Sequence, residues 1–184
     1  MVTNYGVGGT TLMRAADAPY VNTSAFKLAS ASDADIVVLM LGTNDAKKQN
    51  WPLAPKHFLE DYKAMIEVFR AMPSRPEILI MSPPPLYRDG VYGMLQVAVN
   101  TELQRYVPLV ARANGLRPPV DLFSLWQSHC PIEAGTPGHA PSSTDVYCDW
   151  VGSGGRDGCH PDNVGYGKLA EVVRDTILEK NRRL

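Results

Sequence analysis

No apolar run in this sequence is long enough to cross a bilayer: the longest, Ile36–Leu41, has six residues, against roughly 20 for a spanning helix. Charge of either sign is not in excess. The net charge is −1 and the pI about 6.4, so nothing points to nucleic acid or to an anionic membrane surface as a partner. Cysteine is scarce, with three residues and no C-x-x-C pair, which argues against a structural zinc site or a thioredoxin-like motif. No His, Cys, Asp and Glu set has metal-ligand spacing either. There is no internal repeat and no charge block. No secretory leader follows Met1, where polar Thr3-Asn4-Tyr5-Gly6 stands, and the compartment is left open. What remains is ordinary globular material: 184 residues, 45% hydrophobic and 20% charged, enough for one domain over residues 1–184 with a sizeable core.

Apolar patterning gives an alternating order of elements. Val2–Val7 reads as the end of a short strand entering the Gly8-Gly9 turn. Ile36–Leu41 and Glu77–Met81 are continuous apolar runs, as in strands buried on both faces. Between them Phe58, Tyr62, Met65, Ile66 and Phe69 have helical spacing, which predicts a helix over 55–72. Leu95, Val99, Leu103, Tyr106, Val107 and Val110 mark a second long helix, and Pro119–Phe123 a short strand. Residues 127–160, rich in Gly, Pro, Ser and Asp, read as a long functional loop. A last helix begins near Pro161. The fold class is therefore α/β, a parallel sheet with helices on both faces. Ligand sites in such folds lie at the carboxyl ends of the strands, and the unusual segments fall there.

Three of those segments can carry chemistry. In NYGVGGTTL, residues 4–12, closely spaced glycines allow tight turning and close backbone approach. Thr11 stands where a dinucleotide fingerprint needs its third Gly, and no Lys follows for a phosphate loop. The segment is then either a simple turn or a source of a backbone N–H donor at Gly9. In LGTNDAK, residues 41–47, Asn44 can offer its amide to a substrate oxygen, or close an Asx turn. In RDGCHPDN, residues 156–163, Asp157 stands three residues before His160, the spacing of a carboxylate that orients an imidazole. The pair alone is equally a capping Asp beside a chance His. Cys130, Cys148 and Cys159 cluster in the same loop-rich region. A Cys148–Cys159 bridge would staple the loop that carries Asp157; the alternative is three free thiols. Asn22-Thr23-Ser24 fits a glycosylation acceptor, a triplet that chance also supplies.

Together and in this order the three segments resemble the SGNH/GDSL hydrolases, a family of serine esterases, lipases, thioesterases and carbohydrate O-deacetylases. NYGVGGTTL resembles the family's second block, GTND its third and DGCHPDNVGYGKLA its fifth. The resemblance implies a three-layer α/β/α fold with a flavodoxin-like parallel sheet. It also implies small acyl or acetyl esters as substrates, cleaved through an acyl-enzyme without cofactor or metal. Gly9 and Asn44 would form the oxyanion hole, His160 would be the base and Asp157 its orienting carboxylate. The family's first block, Gly-Asp-Ser, which supplies the nucleophile at the end of the first strand, does not occur here. The first strand and the Ser are expected upstream of Met1. An unfilled slot beside Ile36–Leu41 would then be covered by a second copy, making a homo-oligomer, filled by the upstream peptide supplied separately, or filled by residues 2–7 shifting sideways, which would bring Thr10 or Thr11 towards the place of the missing Ser. A small ester and a second copy are thus the expected partners; nucleic acid and membrane are not. The alternatives are a non-catalytic binding relative and a hydrolase rewired to another Ser or Thr. Trp51, Tyr87, Tyr92 and Trp126 are candidate pocket aromatics, and Ser82, Ser142, Ser143 and Ser153 are read as structural or loop residues.

Overall fold

The computed structural model describes residues 1–132, 148–151 and 157–181. Among them β1 (Ile36–Leu39), β2 (Glu77–Ser82) and β3 (Val120–Asp121) form a parallel sheet in the order β1-β2-β3. The register sets Ile36 opposite Glu77, Leu39 opposite Ile80 and Ser82 opposite Asp121. All three strands therefore finish on one edge of the sheet.

Parallel neighbours need a crossover, usually helical, and both crossovers contain a helix. Helix α1 (Ser24–Ser30) precedes β1, and α2 (Ala54–Arg70) joins β1 to β2. Helix α3 (Gln104–Ala113), entered through a π-helical stretch Ala98–Leu103, joins β2 to β3. Then come α4 (Leu122–His129) and α5 (Asn163–Asn181). Side chains of β2 alternate between two cores, as a period of two dictates. Ile78 and Ile80 pack with Phe58, Tyr62, Met65, Ile66 and Phe69 of α2 and Val107 and Val110 of α3. Met81 faces the other way, onto Trp126 of α4, Val151, and Leu169, Val172 and Val173 of α5. Helices thus cover both sheet faces, in the three layers expected. Burying each large side chain of these cores contributes about 1.5–3 kcal/mol.

The expected helix over 55–72 is α2, displaced by one or two residues. Other boundaries differ for local reasons. Val2–Val7 is not a strand and does not pair with 36–41. Asn4 folds its Oδ1 onto the Gly6 N–H at 2.8 Å, a local bond that competes with strand pairing, and Met1 and Val2 are exposed. The sideways repair is thus not made. No strand among the described residues pairs with the outer edge of β1, where Val38 and Met40 are each 40% exposed. The strand expected at Pro119–Phe123 shortens to Val120–Asp121. Asp121 caps α4 instead, accepting from the Ser124 N–H at 2.9 Å, so the first part of the expected 127–160 loop is helix. The last helix starts at Asn163, because Asp162 accepts from the Val164 and Gly165 N–H groups at 2.8 and 2.9 Å and is its cap. In Asn22-Thr23-Ser24, Thr23 caps α1, accepting from the Phe26 N–H at 3.0 Å. No helix among the described residues is long and apolar enough to cross a membrane.

Candidate active site

Beyond β1 the chain enters a 3-10 turn at Asn44–Ala46. Gly42 permits it: φ is 120°, and a Cβ there would lie 2.8 Å from a Leu103 methyl. The turn buries Asp45 completely, with Oδ2 accepting from the Leu12 N–H at 2.8 Å and Oδ1 from the Met13 N–H at 2.7 Å. One carboxylate therefore ties the N-terminal glycine turn to the turn after β1. Burial raises its pKa to about 6, against the two N–H bonds, which favour the charged form. The Asn44 side chain is half-buried and hydrogen-bonds to none of the described residues, so it does not close an Asx turn. The Gly9 N–H, at φ 79°, is likewise bonded to none of them. Among the described residues, then, both groups expected to donate to a substrate oxygen are uncommitted.

The second arm is the loop before α5. Asp157 Oδ1 accepts from the Cys159 and His160 N–H groups at 2.7 and 2.9 Å, and Oδ2 lies 2.7 Å from His160 Nδ1. Burial alone would raise the Asp157 pKa, but the imidazole and the two N–H groups outweigh it and hold the carboxyl below its usual range. An ionised carboxylate only accepts, so Nδ1 carries the proton and the lone pair of Nε2 is left for a substrate or nucleophile. No described residue hydrogen-bonds Nε2.

This loop is pinned from three sides. The Trp150 carbonyl accepts from the Asp162 N–H at 3.0 Å, and Val151 bridges Pro161. Gly165 is required there: a Cβ would sit 2.1 Å from the Trp150 oxygen. Residues 148–151 are in turn tied to α4 by a Cys130–Cys148 disulfide, with Cα atoms 5.6 Å apart. Tyr87 completes the frame, its N–H donating to the Gly158 carbonyl at 2.8 Å and its hydroxyl to the Cys130 carbonyl at 2.9 Å. Neither alternative offered by the sequence, a Cys148–Cys159 bridge or three free thiols, is what forms. Cys159 is a free thiol pushed up to about 12, by burial first and by Asp157 second, and so is no nucleophile at neutral pH. Beside the disulfide, His129 stacks on Trp150 and lies 2.7 Å from Asp149. The ligand atoms of His129, Cys130 and Asp149 fall within 4.8 Å of one another, a cluster that sequence spacing did not reveal, but Cys130 is already consumed by the disulfide.

A third segment joins the arms. Lys48 N–H donates to the Gly93 carbonyl at 3.0 Å and Leu95 N–H to the Ala46 carbonyl at 2.9 Å, which fixes residues 90–95 to the Asn44 turn. Within it Tyr92 has φ 51° and ψ 25°, a left-handed conformation costing a non-glycine residue about 1–3 kcal/mol. Its hydroxyl donates to Asp157 Oδ2 at 3.3 Å, and its ring meets His160 edge-on, with centroids 5.2 Å apart. Asp157 and His160 are in direct contact. Gly9 and Asn44 reach them only through Asp45 and the 90–95 segment.

The remaining expected residues divide between the core, the rim of the base loop and buried turns. Trp51 and Trp126 are core residues, Tyr87 is half-buried and Tyr92 is exposed. Ser82 is buried and bonded to the Val120 carbonyl and Asp121 at 3.4 and 3.3 Å. Thr10 and Thr11 are buried, donating to the Val7 and Met13 carbonyls at 2.7 and 3.3 Å, which removes both as substitute nucleophiles. Ser142, Ser143, Ser153 and His139 lie outside the described residues. Sequence reasoning missed the tie made by Asp45 and the contacts of Tyr92. Asp45 was visible only as an acid just past a buried strand, and Tyr92 only as an aromatic in the turn sequence Asp89-Gly90-Val91-Tyr92-Gly93.

The chain is 28% identical over 193 aligned residues to an acetylxylan esterase of Xylanibacter ruminicola, in an alignment covering 96% of this chain and 35% of that protein. It thus spans about a third of the length of that relative. Two solved structures share the fold. An acetyl xylan esterase superposes with a TM-score of 0.58 at 18% identity, over 94% of this chain and 78% of that one. A peptidoglycan O-acetylesterase does so with a TM-score of 0.55 at 22% identity, over 87% and 41%. The family profile described as GDSL-like lipase/acylhydrolase matches residues 2–173, a span containing Gly9, Asn44, Asp157 and His160, and the chain belongs to that family.

Proposed function

We propose that this chain carries the base pair and oxyanion hole of a carboxylic-ester hydrolase for small acyl esters, acetyl esters of carbohydrates first among them. The observation that carries the proposal is the Asp157–His160 contact of 2.7 Å, which fixes the proton on Nδ1 and leaves Nε2 open. In the reaction a serine hydroxyl attacks the ester carbonyl and passes its proton to His160 Nε2. The Gly9 N–H and the Asn44 amide receive the developing oxyanion, each such donor lowering the barrier by about 3 kcal/mol. The tetrahedral species collapses to an acyl-enzyme as His160 returns the proton to the departing alcohol. Water, deprotonated by the same Nε2, then releases the acid and restores the serine. We assign the nucleophile to none of the 184 residues, among which the Gly-Asp-Ser that supplies it in the family does not occur. The acetyl preference is supported by the likeness to the acetylxylan esterase of Xylanibacter ruminicola.

Hydrolysis of p-nitrophenyl acetate tests this, on the chain alone and joined to a strand carrying Gly-Asp-Ser, each with Asp157→Ala and His160→Ala. Hydrolysis in the joined form that is lost in both variants is expected, because the reaction needs the lone pair of His160 Nε2. A rate indifferent to both substitutions overturns the assignment. A second reading, a binding protein without catalysis, is favoured by one observation: no described hydroxyl hydrogen-bonds His160. Binding of acetylated xylo-oligosaccharide without turnover in either form would select it. We further propose that the chain pairs with a second copy across the outer edge of β1, which no described strand covers; a stable monomer by light scattering at micromolar concentration would refute this.

A further inference from the structure

Building on the base-pair role just assigned, we propose that Tyr92 is the positioning residue of Asp157 and His160, its hydroxyl locking the carboxylate and its ring edge setting the imidazole plane. Asp157 offers about four acceptor positions. The Cys159 and His160 N–H groups occupy Oδ1, and His160 Nδ1 takes one position on Oδ2. The Tyr92 hydroxyl, 3.3 Å from Oδ2, fills the fourth. With all four filled, rotation of the carboxylate breaks a bond whichever way it turns.

The backbone shows that the side chain is held there rather than resting there. Tyr92 lies between Gly90 and Gly93, at φ 74° and 81°, and itself has φ 51°. Gly or Asn would fill that left-handed position with less strain. The turn persists because its neighbours fix it: Val91 and Met94 are buried, and the Gly90 N–H donates to the Met94 carbonyl at 2.9 Å. Both side-chain contacts of Tyr92 then fall on the same pair of residues. A strained residue over-determined by its surroundings is a mark of a functional position. Because the same turn is bonded to Lys48 and Ala46, Tyr92 also sets the base arm relative to the arm carrying Asn44.

Nitrogen-15 imidazole spectra of the chain test this without requiring turnover, with His160 assigned by its loss in His160→Gln. The wild type should show one Nδ1-protonated tautomer with a protected Hδ1. Tyr92→Phe keeps the ring and removes the hydroxyl, and Hδ1 exchange should rise about tenfold, the loss of one hydrogen bond to a charged group. Tyr92→Asn suits the left-handed backbone and removes both contacts; the imidazole should populate both tautomers while the melting temperature holds or rises. Wild-type exchange and a single tautomer in both variants would overturn the proposal. Asp157→Asn separates the two levels. A protected Hδ1 lost there but untouched in the Tyr92 variants overturns the Tyr92 role alone. One that survives Asp157→Asn overturns that role and the base-pair assignment together.

Discussion

Asp45 and Asp157 each accept two backbone N–H bonds, at 2.7 to 2.9 Å, yet their carboxyls move to opposite sides of the ordinary range. Asp45 has no exposed surface and no cation against it, and the charge of Asp17 adds to the penalty, so desolvation prevails and the pKa rises to about 6. Asp157 keeps 27% of its side chain exposed and adds an imidazole to its two N–H bonds, and the partners prevail. Equal numbers of backbone bonds therefore do not make equal carboxylates; residual solvent and one polar ring decide. The difference matches the tasks. Asp45 is a tie whose charge costs stability at neutral pH. Asp157 is a fixed anion that a protonated imidazole would find ready-made.

The comparison is broken most severely at Asp157. In a form carrying the nucleophile, Asp157→Asn should lower the hydrolysis rate by about 10⁴, because the amide favours the wrong tautomer, with a small change in melting temperature. Gly165→Ala attacks the scaffold of the same arm. Its methyl would overlap the Trp150 carbonyl, and denaturant unfolding should show a loss of about 3 kcal/mol. Asp45→Asn should reverse the Asp157 pattern. The Leu12 and Met13 N–H groups bond different oxygens of Asp45, so the amide sets an NH2 against one of them; stability should fall by about 2 kcal/mol, and hydrolysis by less than in Asp157→Asn. The smallest effect is in pH. A carboxyl whose folded pKa is raised binds its proton more readily folded than unfolded, so its contribution to stability grows as pH falls. From pH 7 to 5, passing the folded value near 6, wild type should gain about 1.4 kcal/mol relative to Asp45→Asn. The contribution of Asp157, with its lowered pKa, persists until pH falls through the ordinary carboxylate range and below. Parallel urea titrations of the two proteins would expose a flat difference, which would contradict the burial assigned to Asp45.

Much of this was legible in the residues. The runs at 36–41 and 77–81 and the apolar face at 58–69 announce strands and helix because their periods differ. Asp157 and His160 meet because two intervening residues suffice for a turn around Gly158. Other features required distances the chain does not display. Nothing in LGTNDAK says that Asp45 turns inward to bond residues 33 and 32 positions earlier. Which two of three cysteines join depends on the approach of α4 to residues 148–151. Helix α4 was hidden because Asp121 serves both as the last residue of a two-residue strand and as a helix cap. The strand end expected at Val2–Val7 does not form because Asn4 bonds locally to Gly6 and no described strand pairs with the segment.

The Cys130–Cys148 bridge turns the intervening stretch, a sequence separation of 18, into a closed ring hung on the scaffold by one covalent clasp. Since the entropy of closing a ring grows only logarithmically, doubling its length costs about 0.6 kcal/mol. Length polymorphism between Ile132 and Cys148 is therefore cheap, and it leaves residues 148–151, and with them His160, where they are. Insertions or a grafted module can accumulate inside the clasp while the seat of the imidazole is inherited unchanged.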